Sequence, residues 1–392
     1  MNDYCAVFEI IKASLWGQEL TEPVTEEAFA EMQKQAIAAL PAAVLSRLPM
    51  TEELKSEWKK AVYEQVTYNV SYRRLQASLP ITVPYAVLKG SSAAKYYPNP
   101  LYRTMGDIDI ITRREDFEAA CGMLAQDGFE EVTGDKERAA GRHRLFSKDG
   151  FVIEAHAYYA YQNDPEKARM IDDLVIDGIM PSHELPDDVN GIVLIEHINQ
   201  HMEDGLGLRQ VIDWMMYVDK CLPDEKWPAF QTLTEKTGHV KLAIAVARMC
   251  EIYLGLPERK WSAGADTAVC AQLMEYIMSS GNFGRKKTSD SRASANFFTN
   301  MRSIGGAVRL LQGRGLITWR AAQKHRVLRP FAWLYQAGRY VKKGMSRSEP
   351  LRRVRDEQRT ADERNRLFDA LEVSREEKGI VRFRNGKYSK GL

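Results

Sequence analysis

Residues 83–112, which read VPYAVLKGSSAAKYYPNPLYRTMGDIDIIT, constrain the fold of this chain more than any other stretch. An apolar run over Val83–Leu88 ends at the Gly-Ser-Ser turn Gly90–Ser92, and a second apolar run covers Ile108–Thr112. Short β-branched runs bounded by glycine and polar residues are typical of strands, and a turn of small residues can open a helix. The stretch therefore predicts a strand, a turn, a short helix, a loop and a second strand.

Two aspartates, Asp107 and Asp109, lie at the start of the second run. Because side chains alternate along a strand, both aspartates share one face while Ile108 and Ile110 pack on the other. Adjacent carboxylates repel each other, so such a pair is tolerated where a divalent cation neutralises it. Mg²⁺ prefers oxygen ligands and substrate phosphates, and the pair therefore predicts a Mg²⁺ site, with Mn²⁺ as an alternative ion.

The turn formed by Gly90, Ser91 and Ser92 supplies the other half of a reaction site. The first backbone N–H groups of a helix point outward and favour an anion such as phosphate. A phosphate-binding turn beside metal-binding carboxylates is typical of phosphoryl or nucleotidyl transfer.

A second acidic position lies further along the chain, in a predicted hairpin. The Asp149-Gly150 pair predicts a tight turn between strands over residues 143–147 and 151–157. On the second strand Glu154 and His156 share a face by alternation. A carboxylate in an apolar strand is costly without a partner, so Glu154 needs one nearby.

These motifs resemble those of the DNA polymerase beta-like nucleotidyltransferase superfamily, in which a Gly-Ser turn precedes an Asp-x-Asp strand. More narrowly, the segments LKGSSAAKYY, YPNPLYRTMGDIDI, FVIEAH, LIEHINQHMEDGLGLRQVIDW and IMSSGNFGRK resemble a poorly characterised bacterial nucleotidyltransferase family often met beside surface-polysaccharide genes. The resemblance covers most of residues 80–290. About fifteen residues separate Ser91 from Asp107, which is longer than in many superfamily members.

The resemblance implies an α+β fold, with a polymerase-beta-like core of mixed sheet and flanking helices, N-terminal helices and a helical C-terminal domain. It makes Glu154 the third acid of a cluster with Asp107 and Asp109 that holds two Mg²⁺ ions. The implied reaction moves an NMP group from an NTP, such as ATP, to an unidentified acceptor and releases pyrophosphate. The implied nucleotide-binding residues are Lys89, Gly90, Ser91, Ser92 and Arg103.

Three histidines are further candidates, either for supporting the acids or for contacting the acceptor. His156 lies beside Glu154 on the same strand face. His197 and His201 lie four residues apart on one predicted helix face, next to Glu196, but this spacing is not that of the zinc-protease motif. Metal binding, a contact with acceptor or nucleotide, and structural polar contacts all remain open for this pair.

Composition places the chain among ordinary globular proteins, with 392 residues, 44% of them hydrophobic and 28% charged. The five cysteines lack paired spacing, which indicates neither a disulfide framework nor a zinc motif. No basic leader and no run of about 20 apolar residues is evident. We therefore expect a cytoplasmic protein, and peripheral contact with the inner membrane surface is an alternative that depends on the C-terminal segment.

Four segments are predicted from the pattern changes along the chain. Residues 1–80 form a helical segment, 81–186 the nucleotidyltransferase core, 187–300 a helical domain, and 301–392 a basic, aromatic-containing helical segment with a charged tail. The basic positions from Arg302 to Lys343 admit three interpretations. They form a solvated face, a peripheral contact with anionic lipid, or, less favoured, a nucleic-acid surface.

Two alternatives to transfer onto a hydroxyl or phosphate of a small acceptor remain open. The acceptor is RNA or a protein side chain, or the chain is a catalytically silent scaffold with the same fold. Intact acids at Asp107, Asp109 and Glu154 argue against the silent form.

Overall fold

The computed structural model describes residues 4–134, 138, 141–282, 308, 311–312, 315–316, 318–345, 350–374, 381–384 and 387–390. The described residues fall into two compact units, one within Met1–Lys286 and Ala370–Leu392 and the other within Lys287–Asp369. The segment boundaries expected near residues 80, 186 and 300 stay predictions.

The first unit contains most of the regular elements. Its helices are α1 Tyr4–Trp16, α2 Glu26–Lys34, α3 Glu52–Ala77, α4 Gly90–Ala94, α5 Phe117–Gln126, α6 Pro165–Asp177, α7 Asp187–Asp204, α8 Leu208–Cys221, α9 Trp227–Thr237, α10 Val240–Leu254 and α11 Thr267–Ser280. Its strands are β1 Tyr85–Leu88, β2 Ile108–Thr112, β3 Glu130–Glu131, β4 His143–Lys148, β5 Phe151–His156, β6 Val381–Arg384 and β7 Lys387–Lys390.

A five-stranded mixed sheet in the order β1-β2-β5-β4-β3 forms the centre of this unit. The β2–β5 pair is parallel, and the other pairs of this sheet are antiparallel. Together with the many helices, this sheet confirms the α+β class. The parallel pair matters most for function because it sets Asp109 directly opposite Glu154.

Local sequence signals explain several of these boundaries. Thr51 caps α3 by accepting a hydrogen bond from the Leu54 backbone N–H at 3.2 Å, which satisfies one of the first amides of the helix. The β4–β5 hairpin turns at Asp149 and Gly150, whose φ angles are 52° and 80°. Positive φ at both central residues is what a two-residue hairpin turn requires, so the Asp-Gly prediction is confirmed.

The apolar face of the sheet builds the core beside the site. Ile108, Ile110 and Ile153 are fully buried and pack in one cluster with Leu124 of α5 and Tyr72 of α3. This arrangement confirms the expected alternation along β2. It also leaves the opposite face of β2 and β5 to the polar side chains.

The second unit is helical where it is described, with α12 Arg320–Lys324, a 3₁₀ segment Arg326–Phe331, α13 Ala332–Met345 and α14 Pro350–Ala370. Arg302, at the start of the predicted basic segment, lies outside the described residues. The β6–β7 hairpin was not predicted, although Asn385-Gly386 between its strands is a hairpin signal in the sequence.

The helices of the described residues differ from membrane-spanning helices. None of them combines the length and the apolar composition that crossing a bilayer requires.

Candidate active site

Three carboxylates meet on the polar face of the central sheet. Asp109 lies within β2, Glu154 lies opposite it on β5, and Asp107 immediately precedes β2. One oxygen from each carboxylate lies within 4.8 Å of an oxygen from each of the others. The structure thus brings together the three acids that the sequence predicted.

The N-terminal helix α3 fixes the loop that carries Asp107. The Tyr72 hydroxyl donates to the Asp107 carbonyl at 3.1 Å, and the Tyr68 hydroxyl donates to the Gly106 carbonyl at 3.0 Å. Asn69, on the same helix, donates to the Arg103 carbonyl at 2.8 Å. Burying these carbonyls is tolerated because each one accepts a hydrogen bond. The helical prefix therefore positions the acidic loop as well as covering the sheet.

Electrostatics at the three acids favour a bound cation. The neighbouring Asp109 carboxylate raises the pKa of Asp107 above its ordinary value. Burial alone would raise the pKa of Glu154, but the nearby charges of His156, Lys89 and His143 lower it overall. The three carboxylates repel one another, and a divalent ion between them would relieve this repulsion. Because carboxylate oxygens are hard donors, the cluster suits Mg²⁺ or Mn²⁺.

Lys89 is the cation in direct contact with Asp109 among the described residues. Its Nζ atom lies 2.7 Å from Asp109 Oδ1, and the two side chains are 11% and 4% exposed. Burial lowers the pKa of Lys89, but the charges of Asp109, Glu154 and Asp107 outweigh this effect and raise it. The lysine is therefore charged and already compensates one of the three acids.

The Gly-Ser turn is strained and tightly packed. Lys89 and Gly90 both have positive φ angles, 50° and 33°, and a Cβ atom on Gly90 would lie 2.5 Å from the Tyr72 hydroxyl oxygen. The Ser91 hydroxyl donates to Gln76 Oε1 at 2.6 Å. Glycine is thus required for the close approach of the turn to α3.

The remaining turn residue, Ser92, is buried. Its hydroxyl donates to Asn190 Oδ1 of α7 at 3.1 Å, and the amide of Asn190 donates back to the Ser92 carbonyl. The serine hydroxyls therefore hold the turn between α3 and α7. Backbone groups of the turn are better suited than these hydroxyls to meet an anion.

Arg103 lies away from the position expected for a phosphate-binding residue. Its guanidinium forms two hydrogen bonds with Asp213 of α8, Nε to Oδ1 at 2.8 Å and Nη2 to Oδ2 at 2.6 Å, and the side chains are 3% and 1% exposed. Tyr97 also donates to Asp213 at 2.7 Å. A buried bidentate pair of this kind is a structural link between the β1–β2 loop and α8. Its contacts therefore do not favour the nucleotide-binding role that we expected.

Two histidines adjoin the acids, and only one of them, His156, was predicted as a site residue from the sequence. His156 Nε2 lies 3.0 Å from Asp109 Oδ1 and 3.6 Å from Glu154 Oε1. His143 Nδ1 lies 3.4 Å from Glu154 Oε1. The signal for His143 was available, because the Asp149-Gly150 turn places residue 143 opposite residue 156 across the hairpin.

His197 and His201 form a pair on α7, with their Nε2 atoms 2.9 Å apart. Burial, followed by nearby positive charge that includes Lys89, lowers the pKa of both, that of His201 to about 3. Glu196 instead accepts a hydrogen bond from His239 at 2.7 Å. Neither histidine of the pair belongs to a metal-capable cluster among the described residues.

An open cleft of about 470 Å³ gives access to the acids. Its lining consists of Tyr68, Gly106, Asp107, His143, Leu145, Gly150, Val152 and Glu154. This volume lies within the roughly 300–1,000 Å³ that small-molecule sites span. A substrate in the cleft would meet Asp107 and Glu154 directly.

Comparison with known proteins gives one finding on the family. Neither the curated proteins nor the solved structures contain a significant match to the chain. A family model described as "Uncharacterised nucleotidyltransferase" matches residues 26–255, which is more than half of the chain. The match spans the turn, the three acids and most of the helices behind them, and the chain therefore belongs to this nucleotidyltransferase family and is a transferase.

Proposed function

We propose that the protein is a metal-dependent nucleotidyltransferase that moves an NMP group from an NTP to a hydroxyl or phosphate oxygen of an acceptor. The acceptor oxygen forms a bond to the α-phosphorus, the bond from that phosphorus to the β-phosphate bridging oxygen breaks, and pyrophosphate leaves. The observation that carries this proposal is the convergence of Asp107, Asp109 and Glu154 at one point on β2 and β5.

The three carboxylates would hold the divalent ions, Mg²⁺ or Mn²⁺. When bound, such ions neutralise the triphosphate and the charge that develops during transfer, and they lower the pKa of an attacking hydroxyl. Asp109 lies deepest in the site at 3% exposure, whereas Asp107 is exposed toward the cleft. The pair therefore suits an ion shared between the protein and a phosphate that enters from solvent.

Glu154 has a separate role in this proposal. Its lowered pKa keeps the carboxylate ionised near neutral pH, which favours cation binding. The same shift makes it a weaker base, so removal of the acceptor proton depends mainly on lowering the pKa of the acceptor itself.

Lys89 and the backbone of Gly90 and Ser91 are the proposed contacts for the β- and γ-phosphates. Lys89 would exchange its ion pair with Asp109 for a phosphate oxygen, and divalent ions held by the three acids would supply the positive charge that Asp109 then lacks. This exchange leaves the number of charge pairs unchanged, which keeps its free-energy cost low. Ser92 supports the turn from behind through Asn190.

Nucleotide binding and pyrophosphate release test the proposal together. Calorimetry with each of the four NTPs, with and without Mg²⁺, is expected to show binding that requires the metal. Asp109→Asn should abolish pyrophosphate release, and its circular dichroism spectrum below its melting temperature should match that of the wild type, which shows that the variant is folded. Asp177→Asn, at an exposed acid at the end of α6, is the matched control and should keep full activity.

Two results would contradict the proposal. If no NTP binds, the scaffold alternative gains support. If Asp109→Asn retains pyrophosphate release, the three acids do not form the nucleotidyl-transfer site. If both expected results are found instead, a panel of RNA, protein and small hydroxyl acceptors with radiolabelled NTP separates the acceptor classes.

We further propose that the second unit contacts anionic lipid peripherally. Val327, Phe331 and Leu334, which lie close together in the chain, are 81%, 53% and 50% exposed, and clustered exposed apolar side chains are typical of contact surfaces. Lys324 and Arg326 beside them are exposed as well. Apolar side chains that can enter a headgroup region, together with basic residues, suit the surface of an anionic membrane.

Vesicle sedimentation tests this contact. Phe331→Ser combined with Leu334→Ser should reduce binding to vesicles with anionic headgroups, and neutral vesicles should bind weakly throughout. Tyr63→Ser, at an aromatic residue of α3 that is 73% exposed, is the control for a general loss of surface apolarity. Equal binding of all variants, or a preference for RNA over vesicles, would reject the lipid contact.

A further inference from the structure

The polar face of the sheet carries two imidazoles that the proposed nucleotidyl transfer does not use. His143, Glu154 and His156 form a group whose ligand atoms all lie within 4.8 Å of one another. This group shares Glu154 with the carboxylate cluster but otherwise has different donors. Two nitrogens and one oxygen make a ligand set of a softer kind than three carboxylates.

Two of the three separations between the donor atoms match those around a single metal ion. Glu154 Oε1 lies 3.4 Å from His143 Nδ1 and 3.6 Å from His156 Nε2. For metal–ligand bonds of about 2.1 Å, two ligands at tetrahedral angles lie about 3.4 Å apart. The observed distances therefore need little adjustment to accept an ion with nitrogen and oxygen ligands.

The hairpin fixes this geometry through its register. His143 and His156 are directly opposite each other across β4 and β5, and Glu154 lies two residues from His156 on the same face. The two-residue Asp-Gly turn leaves the register no freedom to slip, because a shift by one residue would reverse every side chain. The three donors are therefore preorganised by the backbone.

Accessibility also suits an ion with an open coordination position. The His156 side chain is 8% exposed, that of Glu154 18% and that of His143 26%, so the group opens progressively toward solvent. His143 and Glu154 both line the cleft. A ligand set of two histidines and one glutamate with an open side is one that catalytic zinc sites use.

We infer that His143, Glu154 and His156 form a second cation site that selects a transition-metal ion such as Zn²⁺, Co²⁺ or Mn²⁺ over Mg²⁺. Glu154 would then be shared between this site and the carboxylate site. Binding of the ion follows from the donor set alone, whereas any part in nucleotidyl transfer rests on the proposed function. Divalent ions on both sides of Glu154 would also favour its ionised form.

The alternative is that the histidines only form hydrogen bonds to the acids. His156 Nε2 lies 3.0 Å from Asp109 Oδ1, a distance at which a neutral imidazole can donate to the carboxylate. In that case His156 would hold Asp109 in place and no transition metal would bind. Metal binding requires the same Nε2 atom to be deprotonated, so the two models make opposite predictions for the ring.

Cobalt spectroscopy on the metal-free full chain tests the inference. Co²⁺ should give a visible absorption spectrum with nitrogen coordination, and Zn²⁺ should displace it. His143→Gln should weaken Co²⁺ and Zn²⁺ binding by about tenfold or more, since changes even to outer-sphere partners of metal ligands cost that much. His325→Gln, at an exposed histidine of the second unit, is the matched control.

Two further measurements distinguish the histidine metal site from a folding defect of a variant and from the nucleotidyl-transfer site. In the wild type, Zn²⁺ should shift the ring ¹⁵N resonances of His143 and His156 and leave those of His197 and His201 unchanged, which needs no variant to fold. Asp107→Asn should lose nucleotidyl transfer but keep the Co²⁺ spectrum, so failure of one proposal does not decide the other. A Co²⁺ spectrum that is unaffected by His143→Gln, or ring shifts at His201 instead, would overturn the inference.

Discussion

Replacing Lys89 by methionine tests how the site is neutralised without metal. The substitution keeps most of the side-chain length and removes the charge that lies 2.7 Å from Asp109. Both side chains are nearly buried, so solvent cannot replace the lost partner effectively. Three carboxylates would then remain together with no lysine among them.

The expected destabilisation follows from this burial. Removing one partner of a buried ion pair costs about 3–5 kcal/mol, because the remaining charge stays buried and uncompensated. With an unfolding entropy of about 2.1 cal/mol/K per residue, a unit of roughly 300 residues would melt about 5–8 °C lower. Protonation of Asp107, whose pKa is already raised, would reduce the effect at acidic pH.

Divalent ions should reverse the effect. Without Lys89, a divalent ion enters the acids without repulsion from a neighbouring ammonium group, so Mg²⁺ affinity should rise by about tenfold or more. The Mg²⁺-dependent gain in melting temperature should therefore be larger in Lys89→Met than in the wild type. NTP affinity in Mg²⁺ should fall, because the proposed phosphate contact is lost.

Differential scanning calorimetry with and without Mg²⁺ measures the stability, and titration calorimetry measures the affinity. Lys95→Met is the matched control, since its ion pairs with Glu184 and Asp187 lie at the surface, where such pairs contribute about 0–1 kcal/mol. If Lys89→Met melts like the wild type in chelator and binds Mg²⁺ no more tightly, Lys89 does not neutralise the acid cluster.

Two further predictions concern the turn and the buried histidines. Gly90→Ala should destabilise the protein by about 2 kcal/mol or more and weaken NTP binding, because the new Cβ meets Tyr72; Gly122→Ala in α5, where nothing lies within 4 Å, should instead be neutral or stabilising in calorimetry. The pKa of His201 is about 3 in the folded chain and about 6.5 unfolded. Its contribution to stability is therefore complete above pH 6.5 and falls toward pH 3, by about 2 kcal/mol at pH 5. His201→Gln should flatten this part of the pH–stability curve, and an unchanged curve would refute a buried neutral imidazole.

Much of the acidic site could be predicted because its determinants are local. Alternation along a strand fixes the faces of Asp107 and Asp109, and the Asp149-Gly150 turn fixes the register of the strand that carries Glu154. The family resemblance placed Glu154 with Asp107 and Asp109, and the structure shows that the strands carrying Glu154 and Asp109 form a parallel pair. His143 could have been found by the same reasoning, by counting residues back from the turn.

Charge partners that come from distant parts of the chain could not be predicted from local sequence patterns. A sequence shows that Arg103 is a cation near the acids but not that Asp213, 110 positions later, takes its guanidinium in a buried bidentate pair. The serine hydroxyls of the turn likewise bond to Gln76 and Asn190 rather than facing outward. Each of these contacts depends on how helices pack against the turn.

The sequence by itself determined the strand–turn–helix–strand unit and the face on which its acids lie, because these depend on side-chain alternation and turn chemistry within a few residues. The tertiary structure decided which cation compensates the acids and which histidines join them. Those outcomes depend on packing between α3, α7, α8 and the sheet, where the free energy of a buried charge is set by whichever partner the fold brings within about 3 Å.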